Sequence, residues 1–155
     1  MTTLISIDPG RKTGLAVFQN GTLENCMLYD ASDYRTFALA LLDTMEQYEP
    51  DSMIVEIPRV YQQRFWKGDP NKLIILTKIA GIAIGLFSTV CPVNEVFPQK
   101  WKGQRTKAAD NRYTENCLEC EELVILDKKK LPKSYKHNVL DAIGIGLWFL
   151  GRRNK

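Results

Sequence analysis

The 155-residue chain contains a single histidine, His137, and its first 56 residues hold only three basic side chains, Arg11, Lys12 and Arg35. Long apolar runs are also missing. The longest, Ile79 to Phe87, is interrupted by Gly81 and Gly85 and falls short of the roughly 18 residues of a membrane span, so no membrane partner is expected. The opening Met1-Thr2-Thr3-Leu4 lacks the basic and apolar regions of a secretory signal. The expected location is cytoplasmic, in a bacterial cell or, for a phage or viral protein, in the host cell, without secretion. The four cysteines, Cys26, Cys91, Cys117 and Cys120, are then reduced thiols. Cys117 and Cys120 have metal-like spacing, but no second Cys/His pair follows, and structural zinc takes four ligands. Repeats and low-complexity stretches are absent. With 45% hydrophobic residues the chain has too much core-forming material for disorder, and its length suits one domain over 1–155.

Acidic and basic residues are divided along the chain. Residues 1–56 carry nine Asp/Glu against three Lys/Arg, a net of −6, and residues 57–155 carry nine against 18, a net of +9. A basic half of that size favours a polyanionic partner over a small neutral substrate.

Local patterns set out an order of elements. Leu4 to Ile7 reads as a strand ending at Asp8, where Pro9-Gly10 breaks it. Gly14–Phe18 and Thr22–Tyr29 are strands joined by an Asn20-Gly21 hairpin turn. Ser32 or Asp33 caps a helix with Phe37, Leu41, Leu42 and Met45 at helical spacing. Met53-Ile54-Val55-Glu56 is a short apolar run suited to a strand buried on both faces. Asn71 caps a helix from Lys72 to about Thr89, Val93 to Phe97 is a strand, and 106–122 is helical. A basic linker, Lys128 to Lys136, precedes a last helix capped by Ser134 and running to about Leu150. The order implies an α/β fold: a mixed five-stranded sheet, an antiparallel meander of three strands plus two parallel strands, flanked by helices.

Three carboxylates sit where burial ordinarily excludes them. Asp8 ends the first strand and Glu56 the fourth, and Asp141 interrupts the otherwise apolar run from Val139 to Trp148. Sites in open α/β sheets gather at the carboxyl ends of strands. If the first and fourth strands are neighbours and the last helix crosses them, the three acids meet. Clustered carboxylates repel, a divalent cation relieves the repulsion, and an all-oxygen donor set favours magnesium or manganese. His137 and Asn138, four and three residues before Asp141, share its helix face.

These residues carry a resemblance. Ile5-Ser6-Ile7-Asp8-Pro9-Gly10-Arg11-Lys12-Thr13-Gly14 resembles the first strand and turn of the RuvC branch of the RNase H-like nucleases. Val55-Glu56 resembles that family's second acidic position. His137-Asn138-Val139-Leu140-Asp141-Ala142-Ile143-Gly144-Ile145-Gly146 resembles its closing helix. The likeness covers nearly the whole chain and is greatest to the compact Holliday junction resolvases of phage or viral type. Actin-like ATPases share an Asp-x-Gly turn, but they need a second lobe for which this chain is too short. One departure stands out: RuvC proteins usually carry Asp or His three positions before the last acid, and here that position is Asn138, with His137 one earlier.

The resemblance implies a magnesium-dependent endonuclease that makes paired symmetric nicks with 5′-phosphate ends in four-way DNA junctions. Two Mg2+ ions would be held by Asp8, Glu56 and Asp141 with Asn138 or His137, Mn2+ would substitute, and no small-molecule cofactor is needed. Asp8, Glu56, His137 and Asp141 are the expected catalytic set. DNA contacts are expected from Lys100, Lys102, Arg105 and Lys107 after the fifth strand, from Lys128, Lys129, Lys130 and Lys133 before the last helix, and from the loop carrying Arg59, Arg64, Phe65, Trp66 and Lys67. The aromatics of that loop would cover the core or stack on bases at an opened junction. The helix from Lys72 is apolar on more than one face. A homodimer is therefore expected through Ile75, Ile79, Ile82 and Phe87, with Gly81 and Gly85 permitting close approach. The alternatives are a YqgF-like RNA-processing nuclease, a broader branched-DNA nuclease, or a junction-binding protein that does not cut.

Overall fold

The computed structural model describes residues 2–59 and 69–153. Five strands, β1 (Thr3–Asp8), β2 (Lys12–Gln19), β3 (Thr22–Asp30), β4 (Ser52–Glu56) and β5 (Val93–Val96), form one sheet of order β3-β2-β1-β4-β5. The first three make an antiparallel meander, and β4 and β5 extend it in parallel from β1. Asn20 and Gly21 both take positive φ in the tight β2–β3 turn, as a two-residue hairpin demands. The expected mixed five-stranded sheet is therefore present, with β1 and β4 side by side.

Six described helices cover it: α1 (Tyr34–Tyr48), α2 (Pro70–Phe87), α3 (Pro98–Trp101), α4 (Lys107–Asn116), α5 (Cys120–Lys128) and α6 (Lys136–Phe149). Strand periodicity decides which faces they cover. Ile5, Ile7, Met53 and Val55 point to one side and bury against Phe37 and Leu41 of α1 and Ile79 and Ala83 of α2. Leu4, Ala16, Phe18 and Ile54 point to the other and bury against Val139, Ala142 and Ile143 of α6. With the sheet on one side and α4 on another, α6 is buried around most of its circumference, which is why its sequence shows no polar face.

Several boundaries differ from the sequence expectation, each for a local reason. Asp33, not Ser32, caps α1 through the amides of Arg35 and Thr36. The α2 helix starts two residues early because Asp69 caps it and Pro70 occupies the first turn, where a missing N–H costs nothing. The expected helix 106–122 is two helices. Thr106 caps α4, and a Glu119/Glu122 capping box starts α5. Ser134 does not cap α6. The amides of Tyr135 and Lys136 instead bond the Pro132 carbonyl.

Glu122 is fully buried. Its carboxylate accepts from the backbone N–H groups of Leu23 (2.7 Å) and Glu119 (2.8 Å) and, on both oxygens, from Arg152 (2.6 and 2.7 Å). Burial alone would raise its pKa, but these donors outweigh it and hold the carboxyl below its usual range. Arg153 is buried as well, paired with buried Asp110. Two cations of the basic half, the part-buried Arg152 and the buried Arg153, are thus engaged in internal ion pairs, tying the segment after α6 to α5 and α4.

The interface expected on α2 needs correction. Ile79 and Phe87 have no exposed surface and belong to the core beneath the sheet, so they cannot meet a second molecule. Ile75 and Ile82 are half-buried against the same core. The outward face carries Ile74, Lys78, Gly81 and Gly85, spaced by four, three and four residues as one helical stripe requires. By length and composition α2 is also the one described helix apolar enough to cross a membrane, and its Ile79, Ala80, Ala83 and Phe87 are packed in the core.

Candidate active site

Asp8 and Glu56 follow the paired residues Ile7 and Val55 at the ends of β1 and β4. Adjacent strands lie about 4.8 Å apart, and residues in parallel register share a face. Ile7 and Val55 face α1 and α2, so the alternation turns Asp8 and Glu56 toward α6. Ser6, two residues before Asp8 on that face, donates its hydroxyl to the Ala142 carbonyl of α6 at 2.7 Å. Asp141 is the preceding residue of the helix and is 6% exposed. Two strand ends and one helix thereby place three sequence-distant carboxylates on the same side of the sheet.

The electrostatics record the convergence. Asp8 has its pKa raised well above the ordinary carboxylate value, first by burial, then by the charges of Glu56 and Asp141. Glu56 is raised chiefly by burial, with Asp141 and Asp110 adding to it, and Asp141 is raised by burial and then by Asp110. Lys102 opposes the rise at all three acids, and Lys107 does so at Asp8 and Asp141. Like charge gathered in a partly desolvated place and incompletely balanced is the condition a hard cation relieves. The all-oxygen donor set of Asp8, Glu56 and Asp141 is of the chemical type that magnesium or manganese takes. Among the described residues, no group of three or more His, Cys, Asp or Glu side chains is placed to hold a metal ion, so the three carboxylates offer the donor chemistry without forming a metal-holding group. One oxygen of Glu56 is engaged elsewhere, accepting from the indole Nε1 of Trp101 at 2.6 Å.

Asn138 braces the site. Its Nδ2 donates to the Lys12 carbonyl at 2.8 Å, tying the first turn of α6 to the start of β2. His137 faces another way, into a shallow groove with Lys107, Asn111, Lys133 and Lys136. Burial and the charge of Lys107 lower its pKa. The cation that bears on it is Lys107, not an acid of the cluster.

The expected DNA-contacting residues divide into two groups. Lys100, Lys107, Lys128, Lys129, Lys130 and Lys133 are exposed. Lys102 lies over the Trp101 ring (5.1 Å to its centroid) and acts electrostatically on the acids. Arg105 is partly consumed by the fold, stacked on Tyr113 at 4.2 Å and 4.0 Å from Asp110. Arg59 is exposed, donates to Gln99 at 2.9 Å and lies over Phe97. Arg64, Phe65, Trp66 and Lys67 lie outside the described residues. Cys117 and Cys120 flank the α4–α5 break as free thiols. Trp101 and Asp110 are participants for which the sequence offers little signal. Trp101 follows the end of β5, where the strand-end rule applies, but an aromatic there reads as core, and Asp110 sits in a helix that otherwise reads as a solvated face.

Neither a family model nor a curated protein matches the sequence significantly. Solved structures do match in three dimensions. RuvC of Thermus thermophilus in complex with a Holliday junction substrate aligns over 95% of this chain and 91% of its own, at 16% identity and a TM-score of 0.59. The fowlpox virus Holliday junction resolvase aligns over 97% and 99%, at 16% identity and 0.63. The yeast mitochondrial Holliday junction resolvase aligns over 98% and 79%, at 10% identity and 0.64. Alignment over nearly the whole of this chain at such low identity is agreement of architecture: its fold is that of the RuvC-like Holliday junction resolvases, the RNase H-like fold.

Proposed function

We propose that the protein is a divalent-metal-dependent endonuclease that resolves four-way DNA junctions. The observation that supports this reading is the placement of Asp8 and Glu56 at the ends of the neighbouring strands β1 and β4, on the side covered by α6, which carries Asp141, with the charges of Glu56 and Asp141 both acting on Asp8. Bound divalent cations would supply an acidified water as nucleophile and a clamp on the scissile phosphate. The three carboxylates would hold them, with the Asn138 Oδ1 as a further acceptor, since its Nδ2 is already used. Lys102 and Lys107 would offset the charge of the acids and draw in a phosphate. His137, which shares a groove with Lys107, would serve as a proton acceptor. The exposed lysines supply salt-sensitive affinity for the backbone.

The test is cleavage of a labelled four-way junction with Mg2+ and with EDTA, beside linear duplex and RNA hairpin controls. Paired symmetric nicks with 5′-phosphate ends in the junction alone, abolished by EDTA, are expected. Cutting of the RNA instead would indicate an RNA-processing nuclease, and cutting of branched and linear DNA alike a broader one. Tight junction binding without cutting would leave only a binding protein.

Paired nicks call for two active sites, and we propose a two-fold homodimer through the outward stripe of α2. Ile74 is 53% exposed there, and Gly81 and Gly85 have no neighbour within 4 Å of an added Cβ. Light scattering at micromolar concentration should give a dimer mass. Gly81→Glu should give a folded monomer that nicks one strand. A wild-type monomer at that concentration removes the dimer from the account.

A further inference from the structure

We propose that Trp101 is a positioning residue for Glu56, held in place from behind by the buried Arg153–Asp110 pair; this rests on the metal-site reading of Glu56. Trp101 is 2% exposed and ends α3, the single turn that follows β5. Its Nε1 donates to Glu56 Oε2 at 2.6 Å, a charge-assisted bond of the short, strong kind. With one oxygen of Glu56 fixed, the other is left to a ligand in a set direction. Outer partners of this kind orient ligating carboxylates and tune metal sites.

The indole is itself located by its neighbours. The Arg153 guanidinium lies 4.9 Å from the ring centroid. Arg153 is fully buried, donates from Nη1 to Thr114 Oγ1 at 2.8 Å and pairs through Nη2 with Asp110 Oδ1. The α6 helix makes room for this stack at Gly144, where a Cβ would fall 2.4 Å from Arg153 Nη1 and 2.8 Å from Trp101 Cζ3. Lys102 covers the ring at 5.1 Å. A chain of contacts thus runs from Asp110 on α4, through Arg153 and Trp101, to a carboxylate at the end of β4. A buried arginine needs a partner to satisfy its charge, but that need does not explain why the guanidinium is placed on the ring that donates to Glu56. Positioning does.

Trp101→Phe keeps the ring for Arg153 and removes only the donor. Mn2+ affinity of the DNA-free protein, read by electron paramagnetic resonance, should fall about 10- to 100-fold. Junction cleavage should fall at limiting Mn2+ and recover substantially at saturating Mn2+, a split that loss of packing alone does not produce. Glu56→Gln is measured beside it. If Glu56→Gln binds Mn2+ like the wild type, the metal-site reading fails. If Glu56→Gln loses affinity and Trp101→Phe does not, positioning alone is overturned. A readout that does not depend on how Trp101→Phe folds comes from the wild type, whose Trp101 indole N–H resonance should move on Mg2+ addition and lie elsewhere in Glu56→Gln. An indole signal indifferent to both overturns the proposal. The double variant Asp110→Asn/Arg153→Met removes the charges behind the ring together, and it should weaken Mn2+ binding several-fold while leaving the Nε1 donor in place.

Discussion

Asp8→Asn is expected to raise the melting temperature of the metal-free protein while reducing junction cleavage on the order of 10⁴-fold, the scale of losing a central catalytic group. The two effects have one cause. Asp8 is held above its ordinary pKa by burial and by Glu56 and Asp141, so the folded state binds its proton more tightly than the unfolded state does. Stability of that kind is fully present below the unfolded value, about 4 for an aspartate, and is lost as pH rises through the folded-state pKa. Ionising the cluster is therefore a net cost to folding that grows as pH rises through that interval. A neutral amide removes one repelling charge, and each kcal/mol so relieved moves the melting temperature by roughly 2–4 °C at this chain length. Thermal melts in EDTA across pH 4 to 8 should show wild-type stability declining with rising pH and a flatter profile for Asp8→Asn. Adding Mg2+ should stabilise the wild type, because a ligand of the folded state alone does so by mass action, and should stabilise the variant little. A variant less stable than wild type in EDTA, or one that cleaves normally, refutes the assignment of Asp8 as a metal-holding acid.

The largest purely steric effect is expected from Gly14→Ala. Gly14 pairs with Asp8 across β1 and β2, and a Cβ there would lie 1.9 Å from the Asn138 carbonyl oxygen and 2.4 Å from its carbon. Both obstacles are backbone in the first turns of α6, so no side chain can swing aside. The helix must lift from the sheet at the point where Asn138 bonds the Lys12 carbonyl and, one turn on, Asp141 approaches Asp8. Overpacking against a rigid neighbour costs about 3 kcal/mol, which corresponds to roughly 6–12 °C in melting temperature. Cleavage at a temperature where the variant is still folded should fall as well, since displacement of about 1 Å costs on the order of 100-fold. Gly21→Ala, at a turn far from the acids, is the control: it strains a positive-φ position but should leave the cleavage rate of the folded protein unchanged. Calorimetry and single-turnover cleavage of the two variants separate the effects. Wild-type melting of Gly14→Ala would show that α6 does not sit as tightly on β2 as the structure has it.

The sheet, its order of elements and the three acids set in buried surroundings are legible in the chain alone because each depends on local pattern. A period of two marks the strands, Asn20-Gly21 marks the hairpin, and an acid at a strand end or within an apolar helix is conspicuous because burial penalises it. Helix ends are less legible. Asp69 competes with Asn71 as a cap, and a capping box at Glu119/Glu122 splits what reads as one helix, since capping is decided by which side chain reaches a free amide. What only the tertiary structure decided is how side chains of the same type are used. Arg152 and Arg153 belong to the basic half of the chain but are engaged within the fold, because buried Glu122 and Asp110 lie within reach of them. Ile79 and Phe87 look like an interface and are core, because the sheet selects one face of α2. Trp101 looks like core and is also a donor to Glu56. Composition and spacing determine which residues are available for burial or chemistry, but pairing across 30 to 45 positions, such as Trp101 with Glu56 or Arg152 with Glu122, follows from strand order and helix packing. No local property of the sequence encodes those distances.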